Sequence, residues 1–498
     1  MAFKHIAMKK YLLTYVHSRS FFGVGLFAWL MLFGLSSCEG FLDESPKAVT
    51  EENFYQTAEE VATAVNAIYS PLRSENQTTY FATLECHTDY AYGRGSFAQY
   101  NDFQGMNSNN INRVAGFWNA FYLSIRNANI VIKNAPEGEL ISQEDIDRYV
   151  SEAKFLRALS YFHLVRNWGA IPLRTAENME DLALPKSTEE EVYALILADL
   201  EEAEILLPEE QELVGRPTQS AAKALLADVY LQLERYADAR AKAQEVIDSG
   251  NHALVPVSDR DDFQRIFGPE VITTPEEIFS LKFVRQPGQG NYLPWVFNHP
   301  STGLYSFGGS YAVYSDATNT FYNNWDDQDL RKSLWDMVDF GLGDSTLVSR
   351  KFIDNQAIGD NDAGNDLPIY RYAEILLIFA EAAAREAGGP TEEAVEALNQ
   401  VHRRAYGVDP LSPSMFDFVL ADYDLDGFID LVLQEKAYEF QFEGKRWLDL
   451  KRSGKAEEVI LQNKGLSISE SHYLWPIPVS ELEYNPALDP ATDQNPGY

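Results

Sequence analysis

Two stretches of this sequence carry side chains suited to holding a sugar. A pyranose presents CH-rich faces and hydroxyl edges. Flat aromatic rings stack on the faces, while carboxylates, amides and guanidinium groups hydrogen-bond the edges. Asp89-Tyr90-Ala91-Tyr92-Gly93-Arg94, continuing to Tyr100-Asn101-Asp102, offers both kinds of group. Asn291-Tyr292-Leu293-Pro294-Trp295 does the same, with Tyr305, Tyr314 and Trp325 further on. The expected ligand contacts are therefore Asp89, Tyr90, Tyr92, Arg94, Asn101, Tyr292, Trp295, Tyr305, Tyr314 and Trp325. Trp168 and Trp447 lie in segments of helical character and are expected in the core.

A third stretch raises metal chemistry. Asp422, Asp424 and Asp426, followed by Gly427, begin like an EF-hand calcium loop, with three carboxylates and a glycine for the sharp turn. The twelfth position, which should be a bidentate Glu, is Leu433, and Glu435 falls two residues late. Pro410 and Pro413 lie close upstream, where the preceding helix should be. Calcium is the one cofactor the sequence suggests; the competing reading is a solvated acidic turn capping the helix around Ile429. Glycoside hydrolysis would need two opposed carboxylates at a fixed separation. Among 75 acidic residues no motif marks such a pair, and hydrolysis stays open as the alternative to binding alone.

The elements that must position these groups are mostly helices. Thr57-Ala58-Glu59-Glu60 is a capping box opening a helix through about Leu72. Residues 74–112 lack helical periodicity and read as a long, functional loop. Helical pattern resumes over 116–134 and again over 144–167, where Ile146, Val150, Ala153, Leu156, Leu159 and Phe162 share a face. Ser187-Thr188-Glu189-Glu190 opens another helix, to about Leu207. Residues 218–249 resemble a tetratricopeptide unit: Leu226, Ala227 and Tyr230, a short Glu234-Arg235 turn, then Tyr236, Ala239, Ala243 and Val246. Residues 370–404 give a second pair, broken at Gly388-Gly389-Pro390. The reading is a mainly α, tetratricopeptide-like helical-repeat scaffold. Residues 251–365 interrupt it as a loop-rich, partly β insertion forming the ligand face, rich in aromatics (Phe297, Phe307, Tyr311 and Tyr322 among them) and with short strands at 277–284 and 349–353. Insertions on one face of a helical repeat are often where it binds. A last helix is expected over 429–450, and the Pro-studded tail 474–498 should be an extended clasp.

The chain has 498 residues and a formal charge of −35. Nucleic acid and anionic lipid surfaces call for a basic face, so no nucleic-acid partner is expected, and a polyanionic ligand meets overall repulsion. Lys4, Lys9, Lys10 and Arg19 precede an apolar run, Phe21 to Leu35, too short for the roughly 20 residues of a membrane-spanning helix. That run leads into Leu35-Ser36-Ser37-Cys38, which resembles a bacterial lipobox. Residues 1–37 are then a lipoprotein signal peptide, Cys38 is the lipidated N-terminus, and the chain works on a lipid surface outside the inner membrane. Cys86 is left without a disulfide partner and reads as a small buried apolar residue.

Five ordered motifs resemble the SusD/RagB family of Bacteroidetes outer-membrane nutrient-binding lipoproteins. They are Ser37-Cys38-Glu39-Gly40-Phe41-Leu42-Asp43 with Pro46; Pro368-Ile369-Tyr370-Arg371-Tyr372-Ala373-Glu374; Glu435 to Phe440 with Glu443 to Leu450; Leu474-Trp475-Pro476-Ile477-Pro478; and Gln494-Asn495-Pro496-Gly497-Tyr498. All look like scaffold, and none assigns ligand residues. The resemblance implies an N-terminal SusD-like helical region over 38–250 and a SusD/RagB C-terminal region over 251–498, packed into one globular unit. It implies a partner, a SusC-like TonB-dependent outer-membrane transporter, to which the lipoprotein delivers a captured oligosaccharide without any reaction. Some members deliver a peptide instead.

Overall fold

Capping chemistry sets where most of the long helices begin. The structure is a computed structural model that describes residues 54–498; Cys38 and the leader lie outside the described residues. Thr57 and Glu60 form the expected capping box for α1, Ala58–Leu72. Ser74, Asn107, Ser142 and Thr218 each accept a first-turn N–H, opening α2 (Glu75–Cys86), α3 (Ser108–Asn134), α4 (Gln143–Trp168) and α6 (Gln219–Gln232). The box ahead of α5, Glu189–Leu206, is Thr188 with Glu191, one residue later than the sequence suggests. α7 spans Tyr236–Asp248.

α2 corrects the long loop expected over 74–112. Its residues from Gln77 to Cys86 are buried on every side, so no apolar stripe alternates with a polar one and the helical period is invisible in the sequence. α3 likewise starts eight residues before the expected 116.

The repeat scaffold is continuous in space although the chain leaves it. α3 packs on α4, α4 on α5, α5 on α6 and α6 on α7. α8 (Tyr372–Ala387) then packs on α7, and α9 (Glu392–Ala405) on α8. Residues 249–371 are thus spliced between α7 and α8 without interrupting the stack. Small residues permit the close approach: Ala227, Ala239, Ala243, Ala380 and Ala384 are fully buried. Gly388 ends α8 at φ 74°, a left-handed cap that favours glycine. The expected 429–450 helix is in fact two, α10 (Leu425–Glu439) and α11 (Arg446–Arg452), followed by α12, Ala456–Lys464. The break falls where Phe442 and Gly444 take positive φ.

The spliced segment is partly β. Strands β1 (Ala91–Gly93), β3 (Val313–Asp316), β4 (Trp335–Met337) and β5 (Thr346–Ser349) make an antiparallel sheet in the order β1-β3-β5-β4. β2 (Glu277–Leu281) pairs with β6 (Leu367–Arg371), which runs directly into α8. β5 lies earlier than the strand expected over 349–353. The tail is not the extended segment expected: Pro478 and Pro490 fall at helix starts, where Pro is tolerated, and short helices form at Val479–Tyr484 and Pro490–Asp493. Trp475 is buried beside Trp168, whose indole N–H donates to the Pro476 carbonyl at 3.0 Å.

A buried ionic hub locks the spliced segment to the scaffold. Arg371, at the β6–α8 junction, donates to Glu439 (2.9 Å) and Glu443 (2.7 Å) and pairs with Glu276 beside β2. Arg404 of α9 also pairs with Glu276 and Glu439. Arg331 reaches Asp329 and Glu435 at 2.6 and 2.9 Å, and Lys351 donates to Glu443. Burial alone would raise Glu435, but Arg331 and His402 outweigh it and take that carboxyl down to about 2. Arg404 and Arg371 likewise hold Glu439 below the ordinary carboxylate range.

Candidate functional site

The sheet and the chain beside it gather aromatic side chains from four separate segments. Tyr92 on β1 and Tyr314 on β3 are direct partners in the ladder, and their half-buried rings stack at 5.7 Å and 29°. Past β1, the Arg94 N–H donates to the Ala312 carbonyl at 2.8 Å. Its guanidinium lies 4.1 Å from the Tyr311 ring centroid and 5.8 Å from that of Phe340. His299 and Phe340 are nearly parallel at 4.8 Å and 11°, Tyr311 stands 4.5 Å from His299, and Phe340 meets Tyr314 edge-on. Tyr311 holds φ at 40°, a left-handed geometry unusual for an aromatic residue.

A second pair joins this cluster. In the short helix Leu293–Phe297, Leu293, Pro294, Val296 and Phe297 are buried, which turns Tyr292 and Trp295 toward the surface. Their rings are 5.1 Å apart and tilted by 40°. Residues 310–312 run beside this helix: the Ser310 N–H donates to the Trp295 carbonyl at 2.7 Å and the Ala312 N–H to that of Val296 at 2.9 Å. Ser310 also accepts from Arg94 at 3.3 Å. One face therefore runs from Tyr292 and Trp295, past Ser310 and Arg94, to Tyr311, Phe340, Tyr314 and Tyr92. Exposed Phe307 lies in the same insertion.

This face is built to donate and to stack. Burial raises the phenols of Tyr92 and Tyr314, which stay protonated at neutral pH. Burial, with Arg94 adding to it, lowers His299, which is neutral there.

Four of the expected contacts are corrected by their placement. Asp89 is fully buried, holds Arg446 in a two-pronged ion pair at 2.9 and 3.0 Å, and accepts from Asn463. Tyr90 is fully buried and donates to Glu85. Trp325 is stacked flat on Tyr438 at 4.1 Å, with its indole N–H on Asp329. Tyr305 is buried and donates to the Gly359 carbonyl. Each has its polar atom already satisfied inside the protein and so is not offered to a ligand. Asn101 is half-buried; its side-chain oxygen accepts from the Gly93 N–H at 2.7 Å and fixes the end of β1. Tyr92, Arg94, Tyr292, Trp295 and Tyr314 are brought together. Tyr311, Phe340 and His299 complete the face without having been singled out as contacts. Phe340 lies in the β4–β5 connection, and only sheet pairing brings it over β3.

Glu85 carries a consequence for pH. It accepts from Tyr90 and from the Gly444 N–H at 2.7 Å, and burial pushes it up to about 7. Gly444 sits at φ 73°, and a side chain there would meet Phe81. A folded-state pKa above the unfolded value means that the folded chain binds the extra proton. Its stabilisation is full below pH 4.5 and is lost as pH rises through about 7, up to about 3 kcal/mol. Glu85→Gln is therefore expected to flatten the decline in denaturant midpoint between pH 4.5 and 7; an unchanged slope would contradict this assignment.

The calcium reading is corrected as well. Asp422, Asp424 and Asp426 are exposed, and Asp424 is the N-cap of α10, accepting from the Gly427 N–H at 2.9 Å. Among the described residues no group of His, Cys, Asp and Glu is arranged to hold a metal ion. The acidic turn caps a helix. Cys86, Trp168 and Trp447 are buried. A cavity of about 420 Å³ lies along α3, lined by Trp118, Tyr122, Leu123, Arg126, Arg174 and Leu182 among others; it shares no residue with the aromatic face. No helix among the described residues is long and apolar enough to cross a membrane.

Residues 40–231 match a family described as "Starch-binding associating with outer membrane", and residues 302–498 match the SusD family. SusD-like protein P2 of Formosa agariphila is 29% identical, covering 99% of this chain and all of that protein. A SusD homolog from Bacteroides thetaiotaomicron superposes with a TM-score of 0.78 at 22% identity, over 90% of this chain and 98% of that one. The surface glycan-binding protein A of the same organism, solved in complex with laminarihexaose, gives 0.72 at 22% identity, over 88% and 99%.

Proposed function

This chain belongs to the SusD/RagB family, and from that premise we propose that it captures an oligosaccharide on the Tyr292–Tyr92 face without chemically altering it. The observation that carries the proposal is the convergence of half-exposed rings from four segments around Arg94 and Ser310. Several rings gathered along one surface suit a chain of sugars, whose CH-rich faces stack on them. Support also comes from the laminarihexaose-bound relative, which shares the fold.

The delivery step is part of the proposal. The family is one associated with the outer membrane. Cys38, acylated after cleavage at residue 37, tethers the chain to that membrane on its outer side. A TonB-dependent transporter is the partner that receives the sugar. Cys38→Ala is expected to move the protein from the membrane fraction to the soluble one, and retention in the membrane would contradict the lipid tether. Binding itself is tested by calorimetry against soluble glycans and peptides, with a reducing-end assay on the same mixtures. Heat of binding to one glycan class with no new reducing ends is the expected result; new reducing ends, or heat with peptides alone, would overturn the reading.

A further inference from the structure

The arginines of this chain show where it awaits a negative charge. Among the described residues every arginine except Arg73, Arg94, Arg113 and Arg126 is ion-paired with a carboxylate. In a chain of formal charge −35, acids are plentiful, so an arginine without one is unusual. Two of the four stand on the aromatic face. Arg94 lies over Tyr311 and donates only to the Ser310 carbonyl. Arg113 lies 4.2 Å from the Phe97 centroid and donates to the carbonyl and hydroxyl oxygens of Ser96, in the loop just after Arg94. Ser96 follows Arg94 by two residues, which sets Arg113 beside the Arg94 end of the face.

Both guanidinium groups are held flat against rings and neutral oxygens. That arrangement fixes their orientation and leaves their charge uncompensated. A neutral sugar needs hydrogen-bond donors but has no use for two uncompensated cations, since amides or hydroxyls serve hydroxyl groups equally well. A carboxylate or sulfate ester pairs with a guanidinium through short, charge-assisted bonds. We infer that the ligand is an acidic glycan, whose carboxylate or sulfate substituents pair with Arg94 and Arg113 while its rings stack on the flanking aromatics. The inference rests on the proposed glycan-binding reading and adds the charge of the substrate.

The overall charge limits the form of that ligand. Salt screens groups beyond about 8 Å, so the acids that oppose the two cations are those close to the face. Glu75 and Asp360 lie near Tyr292, and Asp316 near Tyr314. Discrete acidic substituents set between neutral stretches therefore fit better than a uniformly charged polymer.

The test uses the mature chain and matched sugar pairs. One pair is a partly methyl-esterified oligogalacturonide and its fully esterified form; the other is a sparsely sulfated galactan oligosaccharide and its desulfated form. Laminarihexaose is the neutral reference. The inference expects an acidic member to bind, with affinity falling at high salt, and its neutral counterpart to bind at least about tenfold more weakly. Which pair responds distinguishes carboxylate from sulfate. Arg94→Gln and Arg113→Gln should each reduce that preference about tenfold, whereas Arg126→Gln, away from the face, should leave it unchanged. An unchanged melting temperature in the variants separates lost binding from lost folding. Neutral sugars bound as well as acidic ones, or an acidic preference indifferent to both face variants, would overturn the inference and leave the glycan-binding reading standing. Silence with every sugar would overturn both.

Discussion

Replacing Arg371 with alanine is expected to destabilise the fold by about 3–5 kcal/mol, the loss typical when one partner of a buried ion pair is removed. Arg371 is 2% exposed and bonds three carboxylates at once, Glu276, Glu439 and Glu443. Without it those acids face one another across a dry interior, with only Arg404, Lys351 and Arg331 to offset them. Glu276 precedes β2, while Glu439 and Glu443 belong to α10 and the connection after it. The loss should therefore fall on the junction between the spliced segment and the scaffold. Denaturant unfolding of the variant would show it, and hydrogen exchange should show residues 276–281 and 367–371 opening before the helical stack. A destabilisation under about 1 kcal/mol would mean that the hub is not what holds the two parts together.

Trp295→Ala is expected to weaken oligosaccharide binding by about 2 kcal/mol, roughly thirtyfold, as a stacking ring is removed. Tyr292→Ala should do nearly as much, and the double variant less than the sum, because the two rings touch. The fold should tolerate both, since the buried residues of that helix are its other members. Calorimetry of the single variants checks this. Trp325→Ala makes the contrast: Trp325 is stacked under Tyr438, so its removal should lower the melting temperature while the surviving folded protein still binds. Equal loss of binding at constant stability for Trp325 and Trp295 would contradict the division of the face into contacts and supports.

Much of this was legible in the residues themselves. Capping boxes, the Gly388-Gly389-Pro390 break and the small-residue helix pairs marked the scaffold, because those signals are local and chemical. α2 escaped because complete burial erases amphipathic periodicity, and the early turns of α3, Ser108 to Gly116, are polar. On the face, ring-rich loops pointed to Tyr92, Arg94, Tyr292, Trp295 and Tyr314. The same composition could not separate a displayed ring from a buried one. Trp325 and Tyr305 lie in sequence of the same character as Trp295, and what distinguishes them is a tertiary partner, Tyr438 for one and the Gly359 carbonyl for the other. Asp89 looked like a sugar-binding carboxylate until Arg446, far along the chain, proved to be its partner. The hub was invisible for the same reason: its members are scattered from Glu276 to Glu443, with Arg404 and Glu276 128 residues apart, and meet only through the fold.

The most direct test of the account is a crystal structure of residues 39–498 with a bound oligosaccharide. The account predicts sugar rings stacked on Tyr292 and Trp295, continuing past Ser310 and Arg94 to Tyr311 and Tyr314, with the glycosidic bonds intact. An oligosaccharide seated in the α3 cavity beside Trp118 and Tyr122, with the Tyr292–Tyr92 face bare, would contradict it.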